Sequence, residues 1–527
     1  MKKTLLIFGL LLLWTSLQAQ DYIAPMRKIQ TAVFALNSFY VDSVNNEKII
    51  DEAMHSIVKT LDPHSDYMSK EEVSEMSEPL QGGFDGIGIS FNMMNDTLFI
   101  VEVITGGPSE KVGLLAGDRI LKVDDEIIAG VKMSNKEVMK RLKGPKGTLV
   151  RVGVKRRGEA ELLEFRITRD KIPLYSLDAA FMVDKRTGYI RLSRFSATTM
   201  KEYKEAFEEL RQQGMEQLIL DLQSNGGGYM NTAVELADEF LPKGRSVVYT
   251  EGLNSPRYQA DATEQGSFEQ GNLIVLIDEY SASSSEIVAG AVQDWDRALI
   301  VGRRSFGKGL VQRIFPLGDG TALKLTVSRY YTPSGRCIQK PYEDGVEAYG
   351  RDMIERYNRG EMSSADSIHF PDSLRYSTLL KKRTVYGGGG IMPDVFVPID
   401  TTRYTDLHRE LVNKGILNRF TLTYVDDNRQ ALLEKYGNSQ QFIKQFELSD
   451  EILEEMFRMA QADSVKITEE RRKEDLSVLR MQCKAYIARD LWKSADYYKV
   501  MAPLNESLQE ALRILGDKKR KARYGLL

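Results

Sequence analysis

The chain has 527 residues, 42% of them hydrophobic and 28% charged, with 41 glycines and 15 prolines. That length is too great for one hydrophobic core and calls for roughly three to four domains, while the composition excludes a disordered, collagenous or many-span membrane protein. Lys and Arg number 72 against 75 Asp and Glu, and the formal charge of −3 leaves no electrostatic footprint for nucleic acid.

Lys2-Lys3, the apolar run Leu5 to Trp14 and the small-residue stretch Thr15 to Ala19 follow the order of a secretory leader cut after Ala19. The run falls short of the ~20 residues that cross a bilayer. Residues 1–20 are therefore expected to be a signal peptide and the mature protein exported, with a periplasmic address in a Gram-negative source. Residues 21–79 carry helically spaced apolar positions such as Ile29, Val33, Leu36 and Phe39, the pattern of a small helical domain. Between 80 and 170 the pattern changes to short β-branched runs punctuated by glycine, from Gly86 to Phe91 through Leu162 to Ile167. Residues 171–400 alternate strand and helix. One unit runs from Gln217–Leu222 through Gly226-Gly227-Gly228 into a helix; the next has a strand at Leu273–Ile277, a turn at Asp278–Ser281 and a helix over Ser284–Asp296. A polar, weakly periodic stretch at about 342–383 reads as a surface insertion. Residues 401–527 are helical, with apolar faces at Phe442, Met456, Leu479 and Leu508 that suit either intrachain packing or homo-oligomer formation through the helical ends. The basic cluster Lys518 to Arg523 reads as a solvated tail. Cys337 and Cys483 stand far apart and the four histidines are scattered, so no disulfide framework, metal site or cofactor is expected.

Two segments place hydroxyls and a lysine beside predicted sheet edges: Ser281-Ala282-Ser283-Ser284-Ser285-Glu286 and Ser305-Phe306-Gly307-Lys308-Gly309-Leu310-Val311-Gln312. With Asp221 to Gly228, Thr332 to Arg336, Gly390 to Asp394 and Leu61-Asp62-Pro63-His64-Ser65, these resemble the carboxyl-terminal processing peptidases, the tail-specific proteases, over about residues 57–400. The resemblance implies a multidomain α/β chain: a PDZ β domain at 80–170 and a crotonase- and ClpP-like layered protease core at 171–400, flanked by helical N- and C-terminal domains. It also implies a serine endopeptidase with Ser283 as nucleophile, Lys308 as general base and Gln312 orienting the lysine. The chain departs from the family pattern at Ser284, commonly alanine, and at Gln223, commonly arginine. Asp294 matches a further aspartate of the pattern, with a structural role at a helix end as the alternative.

The residue chemistry agrees. A serine hydroxyl needs a base, and a neutral lysine amine serves without histidine. Bringing an amine from its ordinary ~10.4 toward neutrality takes about 3–4 kcal/mol of ammonium destabilisation, which desolvation by Phe306, Leu310 and Val311 would supply. Oxyanion donors are expected from the Ser284 N–H and from Gly226 and Gly227. Gly86-Ile87-Gly88-Ile89 is the candidate cradle for a substrate's C-terminal carboxylate. Each element also has a plainer reading. Ser283-x-x-Glu286 fits a capping box, Gly-Ile-Gly-Ile fits a bulged strand, and Ser281 and Ser285 offer alternative hydroxyls. The expected partners are proteins or peptides with free C-termini, with room for an adaptor protein. The competing readings are a catalytically inactive or adaptor-dependent PDZ scaffold and an acyl-CoA enzyme on a crotonase-like core.

Overall fold

The structure is a computed structural model that describes residues 25–94, 96–104, 106–264, 266–400 and 403–526. The expected leader lies outside the described residues. Two compact units divide at Tyr67 and Met68. The first holds helices α1 (25–39) and α2 (Asn46–Lys59), the second of these capped by the Asn45 side chain. In its Leu61–Ser65 segment the Asp62 carboxylate accepts from the His64 and Ser65 N–H groups at 2.8 and 2.9 Å, so the aspartate builds a turn.

The second unit begins with α3 (Lys70–Leu80), started by a Ser69/Glu72 capping box. Strand β1 (Gly83–Gly86) leads into β2 (Ile89–Met94), β3 (Thr97–Val103) and β4 (Arg119–Val123), then helix α4 (Asn135–Leu142), β5 (Leu149–Lys155), β6 (Leu163–Thr168) and β7 (Asp170–Pro173). The order β2-β3-β4-β5-β6 is antiparallel throughout, β1 pairs with β7, and β2 keeps a free edge among the described residues. Alternation sends Leu98, Ile100, Ile120, Val150, Val152 and Val154 into a core closed by Val138 and Leu142 of α4.

The next sheet has the order β8 (Leu177–Met182), β9 (Thr187–Leu192), β10 (Gln217–Asp221), β13 (Asn272–Ile277), β14 (Leu299–Gly302) and β17 (Val395–Phe396). Only β8 runs antiparallel to its neighbour. Leu273 to Ile277 are all fully buried, which requires cover on both faces. Helices α5 (Thr199–Gln212), α6 (Met230–Asp238) and α7 (Ser284–Asp294) cover one face. The other meets Leu508, Ala511, Ile514 and Leu515 of the C-terminal region. A separate antiparallel sheet pairs β11 (Ser246–Gly252) with β12 (Ser255–Asp261) and with β16 (Ala322–Tyr331), which also pairs with β15 (Leu310–Pro316).

The 342–383 stretch contains helix α8 (Val346–Asn358) and the hairpin Arg375–Ser377/Thr384–Tyr386. Beyond 403 come α9 (Asp406–Asn413), α10 (Ile416–Tyr436), α11 (Asp450–Ala462), α12 (Glu469–Leu491), α13 (Ser494–Met501) and α14 (Glu506–Gly516). Phe442, Met456 and Leu479 lie in one core cluster with α9 to α12, so those apolar faces serve intrachain packing. No helix among the described residues is long and apolar enough to cross a membrane.

Asp294 ends α7 with no exposed side-chain area, and Arg336, equally buried, donates to it at 2.8 Å while the Ser334 N–H donates at 2.9 Å. This pairing gives Asp294 a structural role and ties the Thr332–Arg336 segment to α7. Asp294→Ala, which strands a buried guanidinium, is expected to cost about 3–5 kcal/mol of stability, read by urea unfolding; a loss below about 1 kcal/mol would contradict the assignment.

Candidate active site

The ends of β10 and β13 are stitched together before any catalytic group appears. The Asp278 carboxylate accepts from the Ser224 N–H at 2.8 Å and the Tyr280 N–H at 3.0 Å, and the Ser281 hydroxyl donates to the Leu222 carbonyl at 2.8 Å. Burial raises the Asp278 carboxyl above its ordinary pKa. The chain then reaches Ser283 with φ 56° and ψ −113°, a left-handed conformation that costs a non-glycine residue on the order of 1–3 kcal/mol. Neighbouring hydroxyls are committed elsewhere: Ser284 Oγ donates to Gly228 O at 3.0 Å and Ser285 Oγ to Asn225 O at 2.8 Å. Ser281 and Ser285 are fully buried and Ser283 is half-buried, so the three hydroxyls left open by the sequence are not equivalent.

Glu286, 1% exposed, joins this turn to the lysine loop. Its Oε2 accepts from the Ser283 N–H at 2.8 Å and the Lys308 N–H at 2.9 Å. Its Oε1 accepts from the Gly307 N–H at 2.8 Å and the Ser305 hydroxyl at 2.5 Å. Burial pushes the carboxyl up to about 7, and these four hydrogen bonds oppose the rise. The buried Tyr330 hydroxyl adds a second tie, lying 2.7 Å from Lys308 O and 3.1 Å from Ser283 O. Lys308 is half-buried. Behind it, Arg356 of α8 donates to Arg304 O at 2.7 Å and Ser305 O at 3.1 Å, and Gln339 accepts from the Gly309 N–H at 2.8 Å. The polar insertion thus buttresses the lysine loop. Gly390 packs so tightly there that a Cβ would come within 2.7 Å of Ser305 O. Glu286, Tyr330 and Arg356 were not assigned from sequence; only Glu286 left a signal, as the last residue of the Ser283-x-x-Glu286 box.

The glycine turn lies directly against the serine: a Cβ on Gly227 would sit 2.7 Å from the Ser283 Cβ and 3.0 Å from the Ser284 nitrogen. The Gly227 N–H, expected as an oxyanion donor, donates instead to Asn225 Oδ1 at 2.9 Å. Among the described residues the Gly226 and Ser284 N–H groups are engaged by no acceptor. Before the turn, Asp221 accepts from Tyr189 Oη at 2.5 Å and Arg191 at 2.7 Å. At Gln223, where the resembled pattern commonly carries arginine, the amide oxygen accepts from Asn505 at 2.8 Å. The guanidinium at this place comes from Arg191, which also donates to Gln223 O at 2.9 Å.

Gln312 lies on β15, where its amide donates to Thr326 Oγ1 of β16 at 3.3 Å. Gly86, Ile87, Gly88 and Ile89 join β1 to β2 at the free edge of the PDZ-like sheet, with Gly88 at φ 77°. The Ile87 and Gly88 carbonyls accept from Ser109 and Ile104, while the N–H groups of Ile87 and Gly88 have no acceptor among the described residues. No group of three or more His, Cys, Asp or Glu side chains that could hold a metal ion occurs among the described residues.

Comparison with known proteins gives three family matches: peptidase family S41 at residues 186–348, PDZ domain at 86–167, and a family of unknown function at 407–493. A carboxy-terminal-processing protease of Bartonella bacilliformis is 37% identical over 304 residues, 57% of this chain and 69% of that protein. A carboxy-terminal processing protease of Bacillus subtilis is 35% identical over 323 residues, 60% of this chain and 66% of its own length. Among solved structures, a photosystem II D1 C-terminal processing protease matches 69% of this chain and 86% of its own, at 24% identity and a TM-score of 0.37.

Glu286 titrates near 7 in the fold against an ordinary 4.5. The folded state therefore binds the extra proton between those values, and wild-type stability falls as pH rises across that window. Glu286→Gln has no such titration. The melting-temperature advantage of wild type over this variant is expected to shrink by about 2–4 °C between pH 5 and pH 8; a gap independent of pH would contradict the shift.

Proposed function

The chain belongs to the carboxy-terminal processing proteases of peptidase family S41, which are serine-type peptidases, and on that premise we propose that Ser283 and Lys308 form its catalytic dyad. One observation carries the assignment: a single carboxylate oxygen of Glu286 accepts from the main-chain N–H of both residues, so their side chains start from one locus. The neutral Lys308 amine takes the Ser283 proton as Oγ bonds to the scissile carbonyl carbon, and the carbonyl π pair becomes the oxyanion. The Ser284 and Gly226 N–H groups are its proposed donors. Collapse breaks the C–N bond, and the lysine's proton passes to the departing amine. Water, deprotonated by the same lysine, then releases the acyl group from Ser283 as a carboxylic acid. Gln312 orients the lysine without the charge that would hold it protonated.

Substrate capture belongs to the free edge of β2. A tail's terminal carboxylate takes the Ile87 and Gly88 N–H groups, and Ile87 and Ile89 face its last side chain, while the preceding residues add as a strand. Tethering raises the local concentration of the scissile bond at the dyad. The leader-like residues 1–20 support export to the periplasm. A second reading, a scaffold that waits for an adaptor, draws on one observation: the Gly227 N–H is engaged by Asn225 Oδ1.

Ser283→Ala and Lys308→Ala are each expected to abolish cleavage of a tail-bearing substrate with the fold intact. Glu286→Gln should lower kcat on the order of 10²-fold with little change in KM, because it misplaces both residues without touching the tail. Full turnover by either dyad variant would refute the assignment. A covalent serine probe that labels wild type without added substrate or partner would dismiss the adaptor reading.

A further inference from the structure

The basic cluster near the end of the chain, which reads in sequence as a solvated tail, is a helix fixed at both ends. In α15 (Lys518–Tyr524) the Asp517 carboxylate caps the first turn, accepting from the Lys519 and Arg520 N–H groups at 2.7 and 3.2 Å, and Gly525 closes the last turn in the left-handed conformation at φ 70°. Tyr524 and Leu526 pack on the apolar cluster behind the parallel sheet, which anchors the helix to the core. Lys518, Lys519 and Arg523 are exposed and Lys521 is half-buried.

A second basic run meets this helix from the insertion. The turn of the hairpin Arg375–Ser377/Thr384–Tyr386 carries Lys381 and Lys382, both exposed, and Lys381 Nζ donates to Gly525 O at 3.3 Å. The charge gathered there is not balanced. Arg383 of the turn pairs with Asp296 and Asp394, and Arg520 of the helix pairs with Glu510, which also pairs with Arg513. Lys381, Lys382, Lys518, Lys519, Lys521 and Arg523 join no ion pair among the described residues. Against these six stands Asp517, its carboxylate already engaged by the helix cap. A chain of formal charge −3 thus carries one concentrated cationic face, whose self-repulsion an anionic surface relieves.

Two features favour a bilayer over an acidic protein as its occupant. Five of the six cations are lysines, compact hydrated charges that suit diffuse headgroup phosphates, whereas a built carboxylate or phosphate site uses arginine forks. Leu380, next to Lys381, is 54% exposed, and an apolar side chain in that place gains by entering the headgroup boundary but gains nothing from a soluble polyanion.

We propose that α15 and the 378–383 turn together form a surface that docks the protein peripherally on anionic phospholipid bilayers. The inference is independent of the dyad and of tail capture. It is tested by co-sedimentation of the full-length protein with vesicles of phosphatidylcholine, alone or mixed with phosphatidylglycerol. Binding is expected on the anionic vesicles, to fall with added salt, and to be weak on the neutral ones. The set Lys381→Gln and Lys382→Gln, and the set Lys518→Gln, Lys519→Gln and Lys521→Gln, should each weaken binding by about 5-fold per lysine removed. Leu380→Ser should weaken it by about 3-fold. Lys2 and Lys3 are common to wild type and variants, so the variant-to-wild-type ratio isolates this surface, and unchanged melting temperatures show that the exposed substitutions leave the fold intact. Equal binding to neutral and anionic vesicles, or an affinity unmoved by either lysine set, overturns the surface. Polyglutamate that binds more tightly than the vesicles with the same lysine dependence, or vesicle binding unmoved by Leu380→Ser, overturns the bilayer as its occupant.

Discussion

A buried carboxylate that must satisfy four donors at once is the constraint on which the Ser283 and Lys308 segments depend. Glu286 sits in the first turn of α7 and reaches back to Ser283, as in any capping box, but the same side chain also gathers the N–H groups of Gly307 and Lys308 and the Ser305 hydroxyl. Desolvation works against the charge, and the hydrogen bonds hold it in place. The consequence is geometric: a turn after β13 and a loop before β15, some 20 residues apart in sequence, are fixed to one point. The left-handed backbone at Ser283 is kept with its N–H held in this way, and Gly227, lacking a Cβ, lets the glycine turn lie directly against it.

Around that point the chain spends long-range contacts on supporting loops. Asp278 and Ser281 join two strand ends, Tyr330 repeats the tie between the serine and lysine segments from β16, and Arg356 reaches in from the insertion. A loop carrying a reactive group has few apolar contacts of its own, so its precision comes from neighbours that are themselves buried. The insertion, polar in composition, buries Arg356 fully for this purpose.

Three of the contacts between the C-terminal helices and the rest of the second unit bear on the site. α14 covers the back of the parallel sheet, Asn505 just before it holds the Gln223 amide beside the glycine turn, and α10 holds the PDZ sheet through Asp426. The parallel sheet needs the first of these contacts because its central strands are apolar on both faces. The other two connect the PDZ sheet and the glycine turn to one helical body.

Much of this was legible in sequence because it is written in local pattern. Short β-branched runs punctuated by glycine marked the β domain, the Leu273–Ile277 run marked a strand of the layered α/β core, and the motifs holding Ser283, Lys308 and Gln312 carried the family resemblance. What the sequence could not decide was which distant groups share a site. The cover on the sheet's second face, the Arg191 guanidinium standing near Gln223, the commitment of the Gly227 N–H to Asn225 and the reach of Glu286 across to Lys308 all depend on side chains meeting over separations with no periodic signature. Composition and spacing determine what each segment can form; only the closed fold decides which buried polar groups must satisfy one another, because that demand arises once water has been excluded.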